Sequence, residues 1–147
     1  MLRHCTVQLY AAYCTLGAAL YALRAQAPNS DDVIARCKGA WRSSLLHPEL
    51  FPQPETSGTA SLTAGLAYGV SAGLLDRQTF APAVRQAWDF LSKTALNSTG
   101  YLGHCQPNGG GPSTAPFANA TTDYCVGMFL MAAVEVAAMG PGEPALV

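Results

Sequence analysis

Apolar residues recur at three- and four-residue spacing over four stretches of the chain. Leu9, Tyr13, Leu16, Leu20 and Leu23 form the first stretch, and Leu62, Leu66, Ala67 and Val70 the second. Val84, Ala87, Trp88 and Leu91 form the third, and Val126, Phe129, Leu130, Ala133 and Val134 the fourth. This is the period of a helix with one side against a core, and no segment alternates apolar and polar residues as a half-buried strand would. The pattern predicts an all-α chain.

Local signals set the boundaries. Pro28 and Asn29 end the first stretch. Gly39 suggests a turn into Trp41-Arg42, and Pro48, Pro52 and Pro54 forbid a continuous helix from His47 to Glu55. The second helix opens at Thr56 and closes at Gly73, with little side-chain bulk along it. Thr79 is placed to cap the third helix, with Pro82 in its first turn and the end near Leu96. Gly100 to Pro107 reads as extended or turn-like, and Asn108 to Ala118 as a Gly/Pro/Ser loop. The fourth helix starts at Thr121 or Thr122, either able to cap, carries Asp123 in its first turn, and stops after Met139 at Gly140-Pro141-Gly142. Several of these helices are apolar on more than one face, so each needs cover on both sides, and about four helices supply too few neighbours for that.

Composition sharpens the point. Of 147 residues 50% are hydrophobic and only 12% charged, against about 25% charged in an ordinary soluble domain. So apolar a chain does not stay disordered in water, and its length suits one domain rather than two. Eight basic against nine acidic residues leave a formal charge of -1, which offers nucleic acid no electrostatic footing.

From Cys5 to Leu23 there is no charge, and Arg3 and Arg24 flank the run. Its Ala content, with Gln8, Thr15 and Gly17, argues against a membrane span. Residues 1–27 then have two readings: a signal peptide ending at Ala25-Gln26-Ala27, or a helix buried within a larger helical protein. Asp123 and Glu135 argue against a span in the fourth helix. The five cysteines show no CxxC and no zinc-ligand spacing, so no metal site is expected. An odd, unpatterned set reads as buried thiols in a reducing compartment, which favours the cytoplasm. Asn97-Ser98-Thr99 and Asn119-Ala120-Thr121 are glycosylation acceptor motifs and pull the other way, toward secretion.

Most of the nine carboxylates read as helix caps or solvated loop charges. Glu55 is the exception, because it precedes Thr56-Ser57-Gly58-Thr59 at a helix mouth where amides and hydroxyls converge. Glu55, Thr56, Ser57 and Thr59 are therefore candidate substrate-binding residues, with an N-cap as the alternative. Arg42 is a candidate cation for a ligand carboxylate, which the resemblance given below implies is a uronate, since guanidinium matches a carboxylate bidentately. Trp41 could stack on a ligand, a sugar if the resemblance given below holds, or belong to the core. Trp88 reads as core, His47 and His104 as solvated loop residues, and Gln106 as a side chain placed to bond loop backbone.

In order, Trp41-Arg42-Ser43-Ser44-Leu45-Leu46-His47-Pro48, Pro54-Glu55-Thr56-Ser57-Gly58-Thr59-Ala60, Gly65-Leu66-Ala67-Tyr68-Gly69, Gly73-Leu74-Leu75-Asp76-Arg77, Trp88, Gln106-Pro107 and Tyr124-Cys125-Val126-Gly127-Met128-Phe129-Leu130 resemble the C-terminal portion of glycoside hydrolase family 88/105, the unsaturated glucuronyl and rhamnogalacturonyl hydrolases. The resemblance covers about residues 38–138. Four residues depart from it: His47 stands where the family commonly has Asp, His104-Cys105 where an aromatic or aliphatic pair is usual, and Cys125 where Gly is usual. The resemblance implies a six-hairpin α/α barrel, whose inner and outer rings cover each other, with residues 1–147 as a single partial barrel domain. It implies removal of a terminal 4,5-unsaturated uronic acid from oligosaccharides: an Asp protonates the vinyl ether and helps activate water, and the hemiketal falls apart. No metal or organic cofactor is implied. The family's catalytic Asp lies in N-terminal motifs that this chain lacks, so no residue here inherits that role and the chain alone is expected to be inactive. The alternative is a non-catalytic helical module that binds carbohydrate or completes another polypeptide's barrel. On either reading, exposed apolar helix faces are expected to promote association.

Overall fold

The computed structural model describes residues 39–44, 47, 49–109 and 117–141. The first apolar stretch, in both of its readings, lies outside the described residues, as do Cys5, Cys14 and Cys37. Among the described residues there are three α-helices: α1 (Thr56–Ser71), α2 (Arg77–Phe90), which continues into a π-helical turn at Leu91–Ala95, and α3 (Asp123–Met139). These residues contain no strand, only isolated antiparallel bridges at Arg42–Pro54 and Leu96–Leu102.

Helix α1 is the central element, packed against both α3 and α2. It is buried nearly all the way round, which its small residues permit because they let neighbours approach closely. Its hydroxyls would be costly to bury unbonded. Thr59, Ser61, Thr63 and Ser71 each donate to the carbonyl four residues back, at 2.6, 2.8, 2.7 and 2.9 Å, so the helix serves as its own hydrogen-bond partner. One apolar cluster joins α1 to the π turn and α3 through Ala60, Ala64, Leu91, Leu102 and Ala132, with Trp88 stacked on Phe129 at 5.4 Å beside it. A second joins Trp41, Leu62, Leu66, Val84 and Met139. Arg77 closes the far end by donating to the Met139 carbonyl at 2.9 Å, a cation on the C-terminus of α3.

Three expectations change. Asp76, not Thr79, caps α2: its carboxylate accepts from the Thr79 amide at 2.7 Å and the Thr79 hydroxyl at 2.6 Å. A carboxylate reaches the third amide and gains from the helix dipole, so it displaces the neutral hydroxyl as cap. The helix accordingly starts at Arg77, and Pro82 sits beyond its first turn. Thr122 occupies the N-cap position of α3 but makes no side-chain capping bond, and its hydroxyl is buried without a partner among the described residues. Tyr124 ties this end down instead, its hydroxyl donating to the Gln106 carbonyl.

The third change concerns the cysteines. Cys105 and Cys125 are joined in a disulfide, with their Cα atoms 6.0 Å apart and both residues fully buried. The pairing spans 20 residues and depends on how the start of α3 meets the 103–107 loop, which no sequence spacing encodes. Closing such a loop stabilises a fold by about 3 kcal/mol. The expectation of buried free thiols is overturned for this pair: both cysteines are buried, but as a disulfide.

Gly39 has φ +90°, and a Cβ there would lie 2.0 Å from the Gln86 carbonyl oxygen. Gly39→Ala is expected to cost ~1–3 kcal/mol, read as a lower urea midpoint at unchanged slope; an unchanged midpoint would contradict this packing. The Asp76 carboxyl is held below its ordinary pKa, chiefly by the Thr79 hydroxyl and then by the Thr79 amide. A depressed folded-state pKa stabilises above the unfolded-state value and is lost as pH falls through the folded one. The melting-temperature advantage of wild type over Asp76→Asn should therefore be present at neutral pH and shrink in acid. A gap independent of pH would show that the carboxylate is not what caps α2.

Candidate functional site

Three segments meet at the mouth of α1: residues 41–43, 54–58 and 103–106. Glu55, only 8% exposed, is their common point. It is the N-cap of α1, an unusual residue for that place, where shorter side chains prevail. Its Oε1 accepts from the Ser57 amide at 2.8 Å, the Ser57 hydroxyl at 2.6 Å and the Gln106 amide at 3.2 Å, and its Oε2 accepts from the Gly58 amide at 2.6 Å. Gly58 makes room for this, since a Cβ there would lie 2.7 Å from Oε2. The carboxylate thus serves the helix end and the 103–106 loop together.

The neighbouring residues complete the knot. The Glu55 amide donates to the Trp41 carbonyl at 3.0 Å, and the Trp41 amide donates to the Thr59 hydroxyl at 2.8 Å. On the other side the Thr56 amide donates to the His104 carbonyl at 2.9 Å and its hydroxyl to the Gly103 carbonyl at 2.8 Å. His104 holds φ 57° to present that carbonyl, a left-handed conformation uncommon for a residue with a side chain. Ser43 donates to the Gln106 side-chain oxygen at 3.4 Å.

The structure brings all six sequence-selected residues into this one region. Trp41, Thr56 and Thr59 are buried, with Trp41 inside the second apolar cluster and both threonine hydroxyls donating to backbone carbonyls. Ser57 is at the edge of burial, and Arg42 is half-buried, its backbone bridged to Pro54. Chemically, this is a knot of mutually bonded polar groups: the Glu55 carboxylate is occupied by helix and loop donors, and the Thr56 and Thr59 hydroxyls by backbone carbonyls, with Ser57 and Arg42 the more open members. His47 lies on the exposed loop, 3.3 Å from Glu49, both side chains mostly in water, where such a pair contributes little. Among the described residues no three His, Cys, Asp or Glu converge as metal ligands, and no helix is long and apolar enough to cross a membrane.

Sequence reasoning missed two participants. The Gln106 backbone amide completes the ligation of Glu55, and no side-chain pattern announces an amide. The disulfide was legible only indirectly, in that Cys105 and Cys125 both stand where the resembled family has other residues.

Comparison with known proteins agrees with this architecture. The family model for Glycosyl Hydrolase Family 88 matches residues 32–140. An unsaturated 3S-rhamnoglycuronyl hydrolase of Formosa agariphila is 42% identical over 98 residues, covering 67% of this chain and 26% of that protein. A relative of the same name from an Alteromonas species is 34% identical over 98 residues, covering 67% of this chain and 23% of its own length. The chain therefore spans about a quarter of the length of these curated relatives. Among solved structures, a glycosyl hydrolase family 88 protein from Bacteroides vulgatus superposes with a TM-score of 0.67 at 34% identity, over 87% of this chain and 41% of that one. A protein named as a polysaccharide lyase superposes with a TM-score of 0.62 at 43% identity, over 69% of this chain and 30% of that one. With an all-helical arrangement that forms part of an α/α barrel and a family match over most of its length, the chain belongs to glycoside hydrolase family 88.

Proposed function

We propose that this chain is one section of an α/α-barrel hydrolase that removes a terminal 4,5-unsaturated uronic acid from oligosaccharides, and that the mouth of α1 is part of its substrate rim. The observation that carries this reading is the Glu55 knot, which ties the Trp41–Arg42 backbone and the 103–106 loop to the mouth of α1 within residues 32–140, the stretch matched by the family model. In this reading Arg42 pairs with the uronate. Glu55, Thr56, Ser57 and Thr59 shape the rim, and Trp41 backs it. The acid that protonates the vinyl ether comes from barrel helices that residues 1–147 do not include, so the 147 residues are a single partial domain.

A second reading, a barrel-completing module, draws on α3. Val126, Leu130 and Val134 form a stripe at four-residue spacing on its outer side, with Leu130 58% and Val134 64% exposed. In a closed barrel such a face would be covered by another helix.

Incubated with an unsaturated uronyl disaccharide, the purified chain should leave the vinyl-ether absorbance unchanged; measurable turnover would overturn the placement of the acid. By calorimetry or chemical-shift titration the chain should still bind that disaccharide, and Arg42→Ala should weaken binding about tenfold, the loss expected for one charge-assisted hydrogen bond. Equal affinity in the variant would remove Arg42 from the rim. Glu55→Ala should act first on stability, costing ~0.5–2 kcal/mol as a lost cap, read as a lower melting temperature.

A further inference from the structure

The acceptor motifs at Asn97 and Asn119 are untouched by the hydrolase reading. In the fold they become neighbours. Asn97 opens the tight turn between Leu96 and Leu102: its amide donates to the Tyr101 carbonyl at 2.9 Å, and its carbonyl accepts from the Gly100 amide at 3.0 Å. Asn119 lies in the next turn, closed by the Ala120 amide on the Phe117 carbonyl at 2.9 Å. The Tyr101 hydroxyl donates to the Asn119 carbonyl at 2.6 Å, so both asparagines stand on one edge, and both are exposed.

Their side-chain chemistry is compatible with substitution on nitrogen. Asn97 Oδ1 accepts three bonds, from the Thr99 amide at 3.0 Å, the Thr99 hydroxyl at 2.7 Å and the Tyr101 amide at 2.9 Å. None of these uses Nδ2, so a group attached there leaves the turn intact. The Asn119 contact runs through its backbone carbonyl and also leaves the side-chain amide out of the fold. The disulfide is a separate observation that points the same way. Cys105 donates its amide to the Ala120 carbonyl at 3.0 Å, inside the second motif, and is itself bonded to Cys125. A bond of that kind forms in an oxidising compartment.

We propose that Asn97 and Asn119 are N-glycosylation sites, occupied as the chain passes through the oxidising secretory compartment in which Cys105 and Cys125 are joined. The donor is a polyprenyl-diphosphate-linked oligosaccharide, used by the host's transferase. Nδ2 attacks the anomeric carbon of the first sugar; the new C–N bond forms as the C–O bond to the diphosphate breaks, the diphosphate leaves with the electron pair, and Nδ2 gives up one proton. Nothing in this step depends on the hydrolase reading.

The test expresses the full chain behind a cleavable secretion signal in a eukaryotic host. The fraction enclosed in or exported from the secretory pathway is then analysed by gel mobility and peptide mass spectrometry. Two mobility steps are expected, both removed by peptide-N-glycosidase with conversion of Asn97 and Asn119 to aspartate. Asn97→Asp, which keeps Oδ1 for the turn, and Asn119→Asp should each abolish one step, whereas Thr99→Ser should retain both. Unmodified asparagines in that fraction overturn the proposal whether the cysteines are paired or free, and modification at one position alone overturns the other.

Discussion

A carboxylate withdrawn from water must find donors to replace the water it gives up, and Glu55 meets that demand in a way that organises its surroundings. Two of its donors are the backbone amides of Ser57 and Gly58, which a helix start leaves unpaired in any case. Another is the Gln106 amide, about fifty residues further along the chain. A single side chain therefore ends one helix and positions the loop that leads toward another. The Trp41–Thr59 and Thr56–Gly103 bonds then lock the same three segments from either side.

The second constraint is the burial of α1. A helix covered on nearly all sides must have small residues and no unbonded polar group, and the run of Ala, Gly, Ser and Thr satisfies both conditions through back-bonding to the preceding turn. The outer side of α3 shows the complementary situation, with branched apolar residues in water. Helices of an α/α barrel have two neighbouring layers, and α1 has its cover within the described residues while α3 lacks part of its own.

Much of the fold was legible. The bounds of α1 and α3 follow from Thr56, Gly73 and Gly140, because capping and termination are local effects of one or two residues. Asp76 was misjudged for a reason equally local: two capping residues stood three apart, and the charged one prevailed. The role of Glu55 was half legible. Its place at a helix mouth could be read, but not that its acceptor capacity is shared with Gln106.

The sequence by itself determined the helical class, the ends of α1 and α3, the family likeness and the clustering of candidate residues around the start of α1, since these depend on periodicity, backbone stereochemistry and residues close in order. Only the tertiary structure decided which distant groups meet. The Cys105–Cys125 bond, the Gln106 amide on Glu55, Arg77 on the end of α3 and the shared edge of Asn97 and Asn119 all join residues remote in sequence or in separate turns. Such pairings follow from how helices pack and loops close over them, and no spacing along the chain carries that information.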